Sequence, residues 1–137
     1  MSLHGRALAV AASILLMLGV AGAQDEGIQK MVGRWQGKVD LREEPERTLV
    51  IKSVRQERGV WIASIDYGPT GKSASALEAR IEREHGTPTM TFAMSTTSKV
   101  ELQLFSEREL RGVLKVADGT GSWVTRKLSL QKTGDKP

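Results

Sequence analysis

Gly71-Lys72-Ser73 follows an apolar run and has the ending of a phosphate-binding loop. Such a loop reads G-x-x-x-x-G-K-[ST], its backbone amides cradling phosphate oxygens and its lysine reaching them. That spacing puts the first glycine at residue 66, where the chain has Asp66. A carboxylate there meets phosphate with the wrong sign, and Gly68 comes two positions late. The segments that follow are strand-sized, whereas a phosphate loop needs a parallel sheet with helical crossovers. The stretch reads instead as a glycine- and serine-rich hairpin loop.

Other routes to catalysis are equally thin. Beyond residue 23, His85 is the only histidine, and it sits beside Gly86 in a turn. With no cysteine and one histidine, a zinc site of the usual nitrogen and sulfur ligands cannot be built. No G-x-S-x-G elbow offers a nucleophile to His85. Glu43 and Glu44 lie in a charged loop among arginines, as a solvated turn would. The expectation is a non-enzyme with no catalytic residues, no metal and no cofactor; a hydrolase is the remote alternative.

The chain opens with a weakly basic start (His4, Arg6), an apolar run over residues 7–20 and the small residues Ala21-Gly22-Ala23. That is the layout of a secretory signal peptide, here residues 1–23, with cleavage before Gln24. The apolar run is shorter than the roughly 20 residues a membrane span needs. The expected protein is periplasmic or secreted, with no stable membrane anchor after cleavage. It has no cysteine to form disulfides and no asparagine to carry glycans. Twenty basic and sixteen acidic residues are interspersed along the chain, as in "LREEPER" and "FSERELR". No basic stripe with interleaved aromatics occurs, so nucleic acid is not an expected partner.

Residues 24–132 read as one domain, followed by a polar, frayed tail over 133–137. Short segments alternate apolar and polar residues between turn signals. Trp35, Gly37, Val39 and Leu41 share one face; Leu49 and Ile51 another, opposite Val50 and Val54. Trp61, Ala63, Ile65 and Tyr67 alternate, as do Leu77, Ala79 and Ile81, then Met90, Phe92 and Met94. Val100, Leu102 and Leu104 follow, then Leu110, Gly112, Leu114 and Val116, and "SWVTRKLSLQK" closes the series. Residues 75–84 also carry a capping-box pattern and helix-favouring residues; their alternation favours strand. Eight short strands with tight turns predict an all-β, antiparallel barrel or sandwich.

Gly33-Arg34-Trp35 at the start of the first strand resembles the G-x-W signature of lipocalins and related calycin barrels. Gly37, Leu49, Val54, Leu110, Gly112, Gly121, Trp123, Leu128 and Leu130 extend a likeness to small bacterial lipocalin-like modules. The resemblance selects an up-and-down barrel of eight strands over a sandwich. It implies that Trp35 plugs the base of that barrel beneath an arginine of the last strand, for which Arg126 is the candidate. It also implies an interior ligand. The expected lining is Trp61, Met90, Phe92, Met94, Leu102 and Leu104, with Lys72 on a lid loop meeting the polar end of a slender, fatty-acyl-like molecule. The alternative is a filled barrel that serves as a cell-envelope interaction or structural module, its protein partner unidentified.

Overall fold

The computed structural model describes residues 26–137; the expected leader, 1–23, and its cleavage point lie outside the described residues. Eight strands follow one another: β1 (Gly33–Val39), β2 (Glu46–Glu57), β3 (Val60–Pro69), β4 (Ser75–Glu84), β5 (Thr87–Ser95), β6 (Ser98–Ser106), β7 (Glu109–Ala117) and β8 (Trp123–Gly134). Each pairs antiparallel with the next, and β8 pairs back onto β1, closing an up-and-down barrel. Residues 75–84 are strand, as their alternation predicts. β8 runs on to Gly134, two residues into the expected tail, and Thr133 Oγ1 donates to the Arg34 carbonyl at 3.2 Å.

The turns show why the chain folds back where it does. Arg58-Gly59 and His85-Gly86 are two-residue connections with positive φ at both positions (51° and 82°; 51° and 83°). That backbone twist matches the twist of the flanking strands, and glycine adopts it without steric cost. His85 is therefore a turn residue. Asp118 organises the β7–β8 connection: its Oδ1 accepts from Thr120 N at 2.8 Å and Thr120 Oγ1 at 2.6 Å.

The predicted faces hold except at Val54, although the pairing also shifts register near Arg34, Ala93 and Leu104. A bulge between Ile51 and Ser53 shifts the alternation of β2, so Val54 lies opposite Ala63 and packs on the core instead of facing away from it. A bulge adds one residue to one strand and inverts the faces beyond it. Inside the barrel lie Trp35, Leu49, Ile51, Ile65, Met90, Leu102, Leu110 and Leu130, all fully buried. Outward positions are charged and paired, as in Arg55–Glu78 (2.7 Å) and Lys115–Glu101 (3.0 Å). An apolar interior under a charged wall is the reverse of a lipid-facing barrel, whose outer band is apolar.

One end of the barrel, the base, is closed by a helical turn over residues 26–29. Ile28 and Met31 are buried there, and Trp35 Nε1 donates to the Met31 carbonyl at 2.9 Å. Gly33 enters β1 at φ 146°, where a Cβ would stand 2.4 Å from the Gly134 carbonyl. Only glycine allows the first and last strands to approach so closely. The opposite end, the rim, carries the connections over residues 40–45, 70–74, 96–97 and 118–122.

Candidate functional site at the rim of the barrel

The base is structural. Lys132 reaches over the indole of Trp35, its Nζ 5.6 Å from the ring centroid, and donates to the Lys30 carbonyl at 2.5 Å. Asp135 balances its charge at 3.3 Å. The cation across Trp35 is thus Lys132 and not Arg126. Register gives the reason: Trp35 lies opposite Lys132, whereas Arg126 is six residues nearer the rim, opposite Leu114 on β7, and exposed.

The residues expected to line a ligand do share the interior face, but they divide along its length. Met90 and Leu102 are fully buried and pair across β5 and β6 in the packed lower barrel. Trp61 and Leu104 are half-buried near the base. Phe92 and Met94 reach the rim half. Lys72 is exposed on the 70–74 loop and forms an ion pair with Glu44 of the 40–45 loop. Thr48 and Thr70 share a hydroxyl contact at 2.8 Å, and Thr70 N donates to the Glu46 carbonyl at 2.9 Å. Lys72 fastens one rim loop to another, and Glu44 is held below the usual carboxylate range chiefly by that contact.

The rim half of the interior is chemically different. Arg47 and Tyr67 face into it, 9% and 1% exposed. The Arg47 guanidinium carbon lies 6.0 Å from the centroid of the Tyr67 ring, and its Nε donates to the Glu44 carbonyl at 3.0 Å. Phe92 meets Tyr67 edge-on, centroids 5.2 Å apart. The Tyr67 hydroxyl is buried with no hydrogen-bond partner among the described residues. Burial raises its pKa, and the positive charge of Arg47 and a side-chain hydrogen-bonding contact with it, longer than an ordinary hydrogen bond, work in the opposite direction. Sequence reasoning missed this pair. Arg47 belongs to the charged run "REEPER" and reads as a loop residue, although its alternation with Leu49 and Ile51 marks the inward face.

The wall beside this pair is incomplete. β4 and β5 pair only from Arg80↔Thr91 to Glu84↔Thr87, so the first five residues of β4 and the last four of β5 run unpaired with each other. A groove of about 430 Å³ lies on the outer surface there, walled by Glu78, Arg80, Lys99 and Glu101 and floored by Phe92 and Val100, which are 4% and 0% exposed. Around the rim, Val116 and Val124 lie opposite one another on the inward face of β7 and β8, 37% and 38% exposed. Leu41 and Met94 are half-buried against the core.

No protein-family model, curated protein or solved structure matches the chain.

Proposed function

We propose that this chain is an exported, non-catalytic binding protein of lipocalin-like type, taking a small amphipathic molecule into the rim half of its barrel. The observation that carries the reading is the rim, where the inward-facing Val116 and Val124 are 37% and 38% exposed at the end of the barrel that holds the buried Arg47 and Tyr67. Apolar side chains turned inward yet reachable from outside are what a small-molecule site needs, together with a few placed polar groups. Arg47 and Tyr67 are such groups. The closed eight-stranded antiparallel barrel is compatible with a lipocalin-like fold, although the cation over Trp35 is Lys132 and not the arginine that the resemblance implied. The packed lower barrel limits the apolar part of the ligand to a short chain or a single ring, shorter than a full fatty-acyl tail.

A titration with a short-chain amphiphile, followed by methyl NMR, tests this. Saturable shifts at Met94, Val100 and Val116, with Met90 and Leu102 still, are expected. Unmoved spectra into the millimolar range overturn it. They would favour a second reading, a filled barrel with a working outer surface, which rests on the exposed aromatic rings of Phe105 and Trp123. Each lies beneath a cation, Arg111 at 3.5 Å and Lys99 at 4.7 Å. The export part is tested by mass spectrometry of the protein from its native host: a chain beginning at Gln24 is expected, and an intact Met1 start overturns it.

A further inference from the structure

Two charged side chains are buried among the described residues: Lys132 at the base, 6% exposed and paired with Asp135, and Arg47 in the rim half, 9% exposed. Burying an ionised group without an opposite charge is costly, so such groups are normally paired. Arg47 is incompletely served. Its Nε donates to the Glu44 carbonyl, but no carboxylate lies within ion-pair distance among the described residues, and its other polar neighbour is the Tyr67 hydroxyl. The Glu44 carboxylate is within reach of the Arg47 charge, yet its ion pair is with Lys72. Next to this guanidinium stands the second unserved group, the Tyr67 hydroxyl. A buried hydroxyl without a partner costs about 1–3 kcal/mol. Two neighbouring buried donors, both short of acceptors, call for the same missing chemistry: a compact anion.

We infer that Arg47 and Tyr67 form the anion subsite of the barrel and bind the carboxylate of a small amphipathic acid. The inference rests on the ligand-binding reading above and names the polar end of that ligand. A carboxylate suits the donors better than a phosphate dianion. The two Nη groups of a guanidinium form a planar fork that matches two carboxylate oxygens. The phenol adds one further donor to the same oxygens. One positive charge balances one negative charge, so the bound pair is neutral inside an apolar barrel. The apolar end of the acid then lies against Phe92 and Met94 and points to the rim, where Val116 and Val124 are exposed. The polar end of the ligand is therefore inside, and Lys72 is not its partner.

The experiment compares sodium octanoate with 1-octanol, which share a tail length and differ in charge. Binding to the full mature chain is measured by calorimetry, with methyl NMR reporting contact at Met94. Octanoate is expected to bind about 10- to 100-fold more tightly than octanol, the range for hydrogen bonds to a charged group. Tyr67→Phe is expected to weaken octanoate about 3- to 10-fold and leave octanol unchanged. Arg47→Met is expected to erase the preference. Should Arg47→Met fail to fold, Tyr67→Phe, which keeps the ring against Phe92, carries the test alone. Equal binding of acid and alcohol, with shifts at Met94 in both, overturns the anion subsite and leaves the amphiphile reading standing. A preference for octanoate that survives Tyr67→Phe and Arg47→Met also overturns it, because the carboxylate is then held elsewhere. Binding of neither molecule overturns the function reading and the subsite with it.

Discussion

Tyr67 is the only tyrosine in the chain, so its titration can be read without interference. Burial favours the neutral phenol in the fold and lifts its pKa above the ordinary value near 10. This contribution to stability is whole below about pH 10, the unfolded value, and is lost as pH rises through the higher folded value. Phenolate absorbance is expected to grow only above pH 10, together with loss of structure; titration at the unfolded value would show the ring to be accessible. Removing the hydroxyl acts the other way. Tyr67→Phe eliminates an unpartnered buried donor, so the ligand-free protein is expected to be as stable as the parent or about 1 kcal/mol more so in urea melts. Residue identity also decides the base. Lys132→Met keeps the aliphatic stem over Trp35 but removes the charge and the hydrogen bond to Lys30. A loss of about 1–2 kcal/mol is expected. Arg126→Ala, on an exposed strand position, is expected to stay within about 0.5 kcal/mol. The reverse ranking would restore Arg126 to the role that the family resemblance assigned it.

At the scale of elements, close backbone approach sets the limits. A Cβ at Gly112 would stand 1.8 Å from the Glu101 carbonyl, so β6 and β7 would have to separate to admit it. Gly59 has nothing within 4 Å and only its φ of 82° to lose. Gly112→Ala is therefore expected to cost about 2–3 kcal/mol and Gly59→Ala about 1 kcal/mol. Equal losses in a denaturant series would mean that the barrel yields at β6–β7. The helical turn at the base is held by side chains rather than by its own length. Ile28 is 1% exposed, and truncating a buried isoleucine to alanine removes about 2–5 kcal/mol. Ile28→Ala is expected to loosen residues 26–31 and free the Trp35 indole hydrogen bond, visible as faster exchange of that proton.

For the molecule as a whole, closure joins the two ends of the described chain. Arg34 pairs with Gly134, and every inner residue of β8 depends on that seam. Truncation before Leu130 removes a buried leucine, the cation over Trp35 and most of the β1–β8 ladder. It is expected to abolish cooperative unfolding, whereas removal of 136–137 is expected to be neutral in circular dichroism melts. Pairing of such distant residues also predicts folding in milliseconds to seconds.

Strand number and, apart from Val54, strand face were legible because alternation is a local signal; a barrel in place of a sandwich came from the family resemblance. Trp61 to Tyr67 or Met90 to Met94 can face a core in only one way once they are strands. Glycine in tight turns fixed where the chain reverses, for the same local reason. Three matters depended on partners far apart in sequence. Whether Lys132 or Arg126 crosses Trp35 is a question of β1–β8 register, which side-chain type does not reveal. The bulge after Ile51 reassigns Val54, and its cause lies in the pairing of two strands. The Arg47–Tyr67 pair joins a residue of β2 to one of β3. No single segment carries that arrangement. Alternation determined which residues face inward; only the closed barrel decided which of them pack, which meet, and where two buried donors are left side by side without an acceptor.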